Sequence, residues 1–400
     1  MKSCVGLQVL LCGALFASEI PNPDSLKKVY YISNAQDIQF LAFFEQYKDT
    51  ESYGILPNCV DLENLLALNS TFNWQDKNSY GIKSKKELYV ATINDAYVSS
   101  PQLGTIFNKK QQLLFDIFVS PGFPIFWPIE HNVRNYEVVK YKKIATVQGP
   151  TFFYHWVIDR LPSVLLLKEF LLADPEIKLI INNQDGRVAG YVTEYLDLLG
   201  IPAEQIIVAQ ANTLYYADTV YFATPFLMEP IPKELLLALR SALLEGAQRK
   251  KLPVRYKNNL IVIVQRVESN RRIANLAELV EVIQSKFSSE EYETVIFDGN
   301  MSVAQQIDIF NHARLVIGVM ASGLTNVLFA NPQTSVIEIH PELPYLVDKA
   351  GINNWGGEWC WWLSSAVHAD YWFVLAPFNL WDASVACPID KIREILEKLP

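Results

Sequence analysis

"VIGVMASGLTNVLFANPQTSVIEIHP", residues 316–341, sets two apolar strand-like runs on either side of a small-residue turn and a short helix. A short, continuously apolar run bounded by turn residues reads as a strand buried on both faces. Ala321, Ser322 and Gly323 meet at the junction, and Glu338 and His340 lie in the second run. Two readings stand open. In one, small residues simply let a helix pack close to a sheet. In the other, the helix starting near Ser322 binds a phosphate, because a helix N-terminus presents free N–H groups and a partial positive charge.

The same rhythm extends upstream. "LIVIV" (260–264) reads as a buried strand. Asn275 with Glu278 opens a helix in the manner of a capping box, with Leu276, Leu279, Val280, Ile283 and Phe287 on one face. "TVIFD" is the next strand, and Ser302 with Gln305 makes a second box before "VAQQIDIFNHA". Repeated βα units build a parallel sheet covered on both sides. Between 151 and 248 a similar alternation runs through a helix near 152–172, strand "IKLIIN", a helix near 188–199 closed by Gly200, strands "QIIVA" and "TVYFAT", and helix "PKELLLALRSALLEGAQ". The basic, Pro-containing "RKKLPVRYKNN" (249–259) is the linker candidate. Residues 24–150 are mixed, with strand-like "QQLLFDIFVS" and "YEVVKYKKIATVQ". The expected domains are therefore 24–248, 260–387, and a C-terminal amphipathic helix in 388–400 that packs back on the first domain across the junction.

Composition narrows the partners. Half of the 400 residues are hydrophobic and 19% are charged, as in a chain with large cores and no disorder signature. A formal charge of −9 argues against nucleic acid or an anionic membrane surface, since both reward clustered Lys and Arg. Lys2, an apolar run from Val5 to Ala17, and Ala17–Ser18 make a short signal-like segment (1–18), too short for a comfortable membrane span. Export or membrane association through this segment is the expectation, with a cytoplasmic location as its alternative. Cys59, Cys360 and Cys387 downstream allow at most one disulfide, and no CxxC or HExxH spacing points to a metal.

Three groups carry chemistry. Arg266 follows strand 260–264, and Arg271 and Arg272 precede Asn275; guanidinium forks suit phosphate oxygens, although surface arginines on a solvated loop look the same. In a parallel sheet that loop and the 320–323 turn open on one edge, which favours a diphosphate clamp. Glu338 at this edge suits ribose hydroxyls, or else it is a buried acid paired with an arginine. In "GPTFFYHWVIDRLP" (149–162), His155 and Asp159 share a helix face, so the carboxylate orients an imidazole that acts as a general base; a structural histidine is the rival. Pro162 is expected to disfavour regular helix at Leu161 and to set where this helix turns toward the core. Trp355, Trp359, Trp361, Trp362, Tyr371 and Trp372 form a tract that stacks on sugars or fills a core.

"FFYHWVIDRLPSVLLL", "QRVESNRRIANLAEL" and "SVAQQIDIFNHARLVIGVMASGLTNVLFANPQTSVIEIHP" resemble, in order and spacing, the family 61 glycosyltransferases. That family includes protein O-linked N-acetylglucosaminyltransferases and plant xylosyl- and arabinosyltransferases. The resemblance covers roughly residues 140–345. It implies a GT-B-like α/β fold, two Rossmann-like domains facing a cleft, an inverting mechanism and a nucleotide-sugar donor, usually a UDP-sugar. A glycan or glycoprotein acceptor is expected, with no cofactor and with the arginines and the helix start in place of a metal. His155 and Trp156 match the family's His-Trp motif, and Arg266, Arg271 and Asn275 its arginine–asparagine loop. Gln305 or Gln306 matches its helix glutamine, Gly323 and Asn326 its glycine-rich turn, and Glu338 its strand acid. Ser322 joins the donor-binding set through the helix start. The family's turn reads Gly-Pro-His-Gly-Ala-Gly-Leu, whereas this chain has Met320 where the histidine stands. The expectation is a glycosyltransferase; the alternative is a catalytically weak or inactive glycan- or nucleotide-binding relative. A hydrolase requires paired carboxylates, and no such pair stands out.

Overall fold

The computed structural model describes residues 29–31, 38–47, 58–59, 87–99, 104–108, 113–115, 137–149, 151–181, 188–210, 213–226, 231–250, 259–266, 271–342 and 358–400. The signal-like segment, 251–258 of the expected linker, and Trp355 lie outside these residues. Among the described residues no helix is long and apolar enough to cross a membrane.

The strands form two separate sheets. The first contains β1 (Val29–Tyr31), β2 (Ile38–Phe43), β4 (Tyr89–Ser99), β5 (Thr105–Asn108), β6 (Leu113–Phe115), β7 (Glu137–Thr146), β8 (Ile177–Ile181), β9 (Ile206–Val208) and β10 (Thr213–Ala223). Its order is β1-β6-β5-β4-β10-β7-β8-β9, with β2 also on β4. From β10 to β9 the pairing is parallel, while β4 runs antiparallel to β10, β5 and β2. The sheet is thus mixed, unlike the parallel βα sheet that the alternation suggests. In "EVVKYKKIAT" only the last three residues are buried, so one end of β7 extends beyond the covered core.

The second sheet contains β11 (Leu260–Val264), β12 (Arg272–Ile273), β13 (Glu293–Phe297), β14 (Ala313–Val319), β15 (Ser335–Glu342), β16 (Asp370–Asn379) and β17 (Ser384–Val385), and β3 (Asn58–Cys59) joins it beside β16. Strands β13, β11, β14, β15 and β16 are consecutive and parallel. "LIVIV" is apolar throughout because it serves two cores. Leu260, Val262 and Val264 face one, Ile261 and Ile263 the other.

Helices α1 (Leu161–Ala173), α2 (Gly190–Leu198) and α3 (Lys233–Arg249) lie on the first sheet. Helix α5 (Val303–Asn311), a 3₁₀ helix (Ser322–Phe329) and α6 (Glu358–Ala366) cover the facing side of the second. These helices pack together, so one apolar core joins both halves. Two polar contacts fasten the seam. Glu194 Oε2 accepts from the Val303 N–H at the start of α5 (2.7 Å), and Arg240 Nη2 donates to the Ala330 carbonyl just past the 3₁₀ helix (3.0 Å). Both place charge at a helix end of opposite partial sign.

The remaining helices, α4 (Leu276–Lys286) and α7 (Ile389–Lys398), cover the second sheet's outer face. This corrects the expectation that the C-terminal helix packs across the junction. Its apolar side (Ile392, Ile395, Leu396) meets Leu279 and Ile283 of α4, and Lys286 Nζ donates to the Leu399 carbonyl at 3.1 Å. A parallel sheet needs both faces covered, and α4 alone leaves one face incomplete.

Gly246 marks where α3 crosses α2. A Cβ there would lie 2.2 Å from the Leu198 carbonyl oxygen. In an isolated helix Gly→Ala gains about 1 kcal/mol. Here the clash outweighs the propensity, and Gly246→Ala should lower unfolding free energy by about 1–3 kcal/mol. Urea unfolding checks this, and a stabilised variant would contradict the crossing.

Candidate functional site

Across the second sheet, β13, β11, β14, β15 and β16 appear as the second, first, third, fourth and fifth strands of the chain's βα succession. The chain leaves β11 through α4 on one face and returns to β14 through α5 on the other. The strand order reverses here, between β11 and β14, and open α/β sheets bind ligands at the carboxyl ends of the strands at such a switch point. Arg266 follows β11 there, and Met320–Gly323 follow β14.

Register makes the edge specific. Val264 pairs with Gly318, and Gly318 pairs with Glu338. Two residues beyond each stand Arg266, Met320 and His340. Arg266 is half-buried, and burial lowers its guanidinium from the ordinary arginine value. Among the described residues it has neither a hydrogen-bond partner nor a carboxylate. Gln265 clamps the loop beyond it, accepting from the Ile273 N–H (3.0 Å) and donating to the Ile273 carbonyl (3.3 Å). Arg271 sits inside that clamp with φ 70°. Its N–H donates to the Ala383 carbonyl and Nη1 donates to the Met320 carbonyl at 2.8 Å. Left-handed backbone at a non-glycine residue costs on the order of 1 kcal/mol and concentrates at ligand sites. Arg272, by contrast, points to solvent and pairs with Asp382 at 2.8 Å.

Packing explains the small residues of the turn in part. A Cβ at Gly318 would lie 2.7 Å from Val264 Cβ, and one at Gly323 would lie 2.8 Å from Val264 Cγ1. The space at Gly323 is therefore taken by Val264, not kept for a ligand, which corrects that part of the phosphate reading. Ser322 is exposed at the first turn of the 3₁₀ helix, whose leading N–H groups lack intrahelical acceptors. Asn326 is fully buried, and its Nδ2 donates to Gln306 Oε1 (3.1 Å) and the Gly323 carbonyl (3.2 Å). Of the two candidate glutamines, Gln306 thus faces the turn, while Gln305 closes the Ser302 capping box. Asn275 differs from expectation too. It makes no cap bond; it takes the Cys387 N–H on Oδ1 (2.8 Å) and donates to the Cys387 carbonyl (3.0 Å), tying the loop to the start of α7.

Glu338 is fully buried and faces the shared core side. Desolvation pushes its carboxyl up to about 8, against opposing pulls from Tyr371 and Arg271. Tyr371 Oη donates to Oε2 at 2.5 Å, and Oε1 has no hydrogen-bond partner among the described residues. Next along the face, burial drives His340 down to about 4, and neither of its ring nitrogens has a partner there. At neutral pH this end of β15 is therefore polar but uncharged.

In the other half, His155 Nδ1 and Asp159 Oδ2 are 2.6 Å apart, with the histidine side chain 17% exposed and the carboxylate fully buried. The helix does not turn off at Pro162. It widens into a π-helix over His155–Arg160 and continues as α1. Pro162 has no N–H and its ring crowds the carbonyl four residues back, so a wider turn accommodates it. Arg160 beside the pair is completely buried, its guanidinium held well below the usual range by desolvation, and donates to the Val147 carbonyl. Helix α6 links the two groups of residues. Trp359 packs on Tyr154 (4.9 Å between ring centroids), itself edge-on to His155 (5.1 Å), while the adjacent Cys360 lies in the field of Glu338. In the aromatic tract Trp361, Trp362 and Tyr371 are buried core and so unavailable for stacking. Among the described residues no group of three or more His, Cys, Asp or Glu is arranged to hold a metal.

Residues 153–337 match the model of the Glycosyltransferase 61 family. Over these residues the chain is similar to the family 61 glycosyltransferases. No curated protein gave a match. The family 61 match spans His155, Asp159, Arg266, Arg271, Asn275, Ser322, Gly323 and Asn326 and ends one residue before Glu338. The match supports glycosyltransferase chemistry, with a sugar donor and a glycan acceptor in general terms. Gln265 and Arg160 also support this site, although no local pattern in the sequence points to either; Gln306 is one of the two glutamines that the resemblance offered.

The Glu338 carboxyl gives a pH signature. The folded chain keeps its proton up to about 8, whereas the unfolded one loses it near 4.5. The stability it contributes is fully present below the unfolded value and lost as pH rises through the folded one. His340, lowered from 6.5 to about 4, acts in the opposite sense below 6.5. The clean window is therefore 6.5 to 8. Melting temperature should fall across it in the wild type and fall less in Glu338→Gln. Equal slopes would show that Glu338 is ionised in the fold.

Proposed function

We propose that the chain is an inverting, GT-B-like glycosyltransferase that moves a sugar from a nucleotide diphosphate donor, such as a UDP-sugar, to a hydroxyl of a glycan or protein, without a metal. The observation that carries this reading is Arg266, a half-buried guanidinium without a carboxylate partner among the described residues, at the switch point beside Arg271 and the Ser322 helix start. In a chain of charge −9, a cation so placed favours an anionic ligand. Arg266, Arg271 and the Ser322–Gly323 N–H groups would hold the diphosphate. Glu338 Oε1 would accept a ribose hydroxyl, and Asn275 and Asn326 would fix the loop and turn.

His155 would take the acceptor proton on Nε2, since Nδ1 engages Asp159. The acceptor oxygen then bonds to the anomeric carbon as the bond to the diphosphate oxygen breaks, and the arginines stabilise the departing charge. Asp159 holds the ring and balances the imidazolium. One observation favours a second reading, a binding protein with little turnover. Met320 offers no titratable group, and its side chain is buried.

Calorimetry with UDP tests the donor clamp. Arg266→Ala and Arg271→Ala should each weaken binding by about 1.5–3 kcal/mol, the worth of a hydrogen bond to a charged group, while Arg272→Ala should change little. Unchanged affinity in Arg266→Ala would remove the main support. For the base, His155→Ala should lower turnover roughly 10²–10⁴-fold with UDP affinity and melting temperature preserved. If the melting temperature falls and residual activity merely tracks folded protein, His155 is structural.

A further inference from the structure

Phe152 lies just ahead of the His155 helix and is 71% exposed. Its carbonyl accepts from the Trp156 N–H at 2.7 Å, so it opens the first turn. Phe152 and His155, three apart, stand at the start and in the first turn of the same helix, on one side of it. The exposure does not come from a slack backbone. Tyr191 Oη donates to the Thr151 carbonyl at 2.6 Å, and Phe153 turns inward against Tyr191 and Tyr195, with centroids 5.1 and 6.2 Å away. The inward position is filled by Phe153, and Phe152 is held facing out. Leaving a phenylalanine in water forgoes on the order of 2 kcal/mol of burial.

We infer that Phe152 is the platform of an acceptor subsite, stacking the apolar face of a pyranose ring whose hydroxyl meets His155. This rests on the reading above, and it names the acceptor class. A pyranose has a C–H face and a hydroxyl edge. A flat exposed ring at the start of the helix that carries a histidine–carboxylate pair complements both at once, through C–H contacts to the π-face and a hydrogen bond to the imidazole. Tyr154, edge-on to His155 and packed on Trp359, adds aromatic surface around the imidazole. A serine or threonine hydroxyl on a peptide has no ring to place on Phe152.

Saturation-transfer NMR tests this with methyl β-glucopyranoside, methyl β-galactopyranoside and methyl β-xylopyranoside against Ser- and Thr-containing peptides, each with and without UDP. The wild type should transfer saturation to the ring protons of at least one pyranoside. Its affinity should fall about tenfold in Phe152→Ala and recover in Phe152→Tyr, in line with the worth of an aromatic stacking contact. Phe152→Leu keeps apolar volume but not a flat ring; it should bind like the alanine variant at an unchanged melting temperature. Binding unaltered in Phe152→Leu, no pyranoside signal, or signal from peptides alone would each overturn the subsite. The donor reading fails separately: a wild type that binds a pyranoside but not UDP keeps the subsite and loses the donor clamp.

Discussion

Val264 is pressed from two sides by positions that carry no side chain. Gly318 lies beside it in the neighbouring strand, and Gly323 lies above it at the start of the 3₁₀ helix. A methyl group at either position would bury about 0.8 kcal/mol of apolar surface, yet overpacking of that kind costs typically 1–3 kcal/mol. Glycine is therefore the better residue at both. The consequence reaches past packing. With nothing between Val264 and the turn, the 3₁₀ helix starts directly over the end of β11, and Ser322 comes to the edge that Arg266 leaves. The bland and the sharp readings of the turn are one geometry: close packing brings a helix start to the arginines.

Legibility in the sequence follows from how local each interaction is. The Ser302–Gln305 box and the β11 strand are settled within a few residues, and both were readable. Glu338 was half readable. In "SVIEIHP" Val336 and Ile337 stand on alternate faces, which implies cover on both, whereas the neutrality of the acid between Ile337 and Ile339 comes from desolvation in the folded core. The direction of α7 was not readable, because an amphipathic face specifies that it will be covered and not by what. The π-helix depends on how one proline is accommodated among aromatic neighbours, and Asn275 depends on Cys387 more than a hundred positions away. Such choices are made by tertiary contacts.

The electrostatics of the edge turn on neutralisation. The whole chain is acidic, and an ionised Glu338 would cancel one of the arginines nearby. Burial instead keeps the carboxyl protonated at neutral pH, and the same desolvation keeps His340 uncharged. Glu338 then holds Tyr371 without adding negative charge, and the positive potential of Arg266 and Arg271 stays available to an anion. Desolvation of an acid thus serves an anion site here as directly as adding a cation would.

Helix α6 makes the two halves of the site one mechanical unit. Its consecutive residues do different work, with Trp359 against Tyr154 on the His155 side and Cys360 buried in the core shared with the second sheet. A rigid helix does not shift one of these contacts alone. Its nine residues thus stand between the aromatic packing around His155 and the core side of the second sheet, the side on which Glu338 lies.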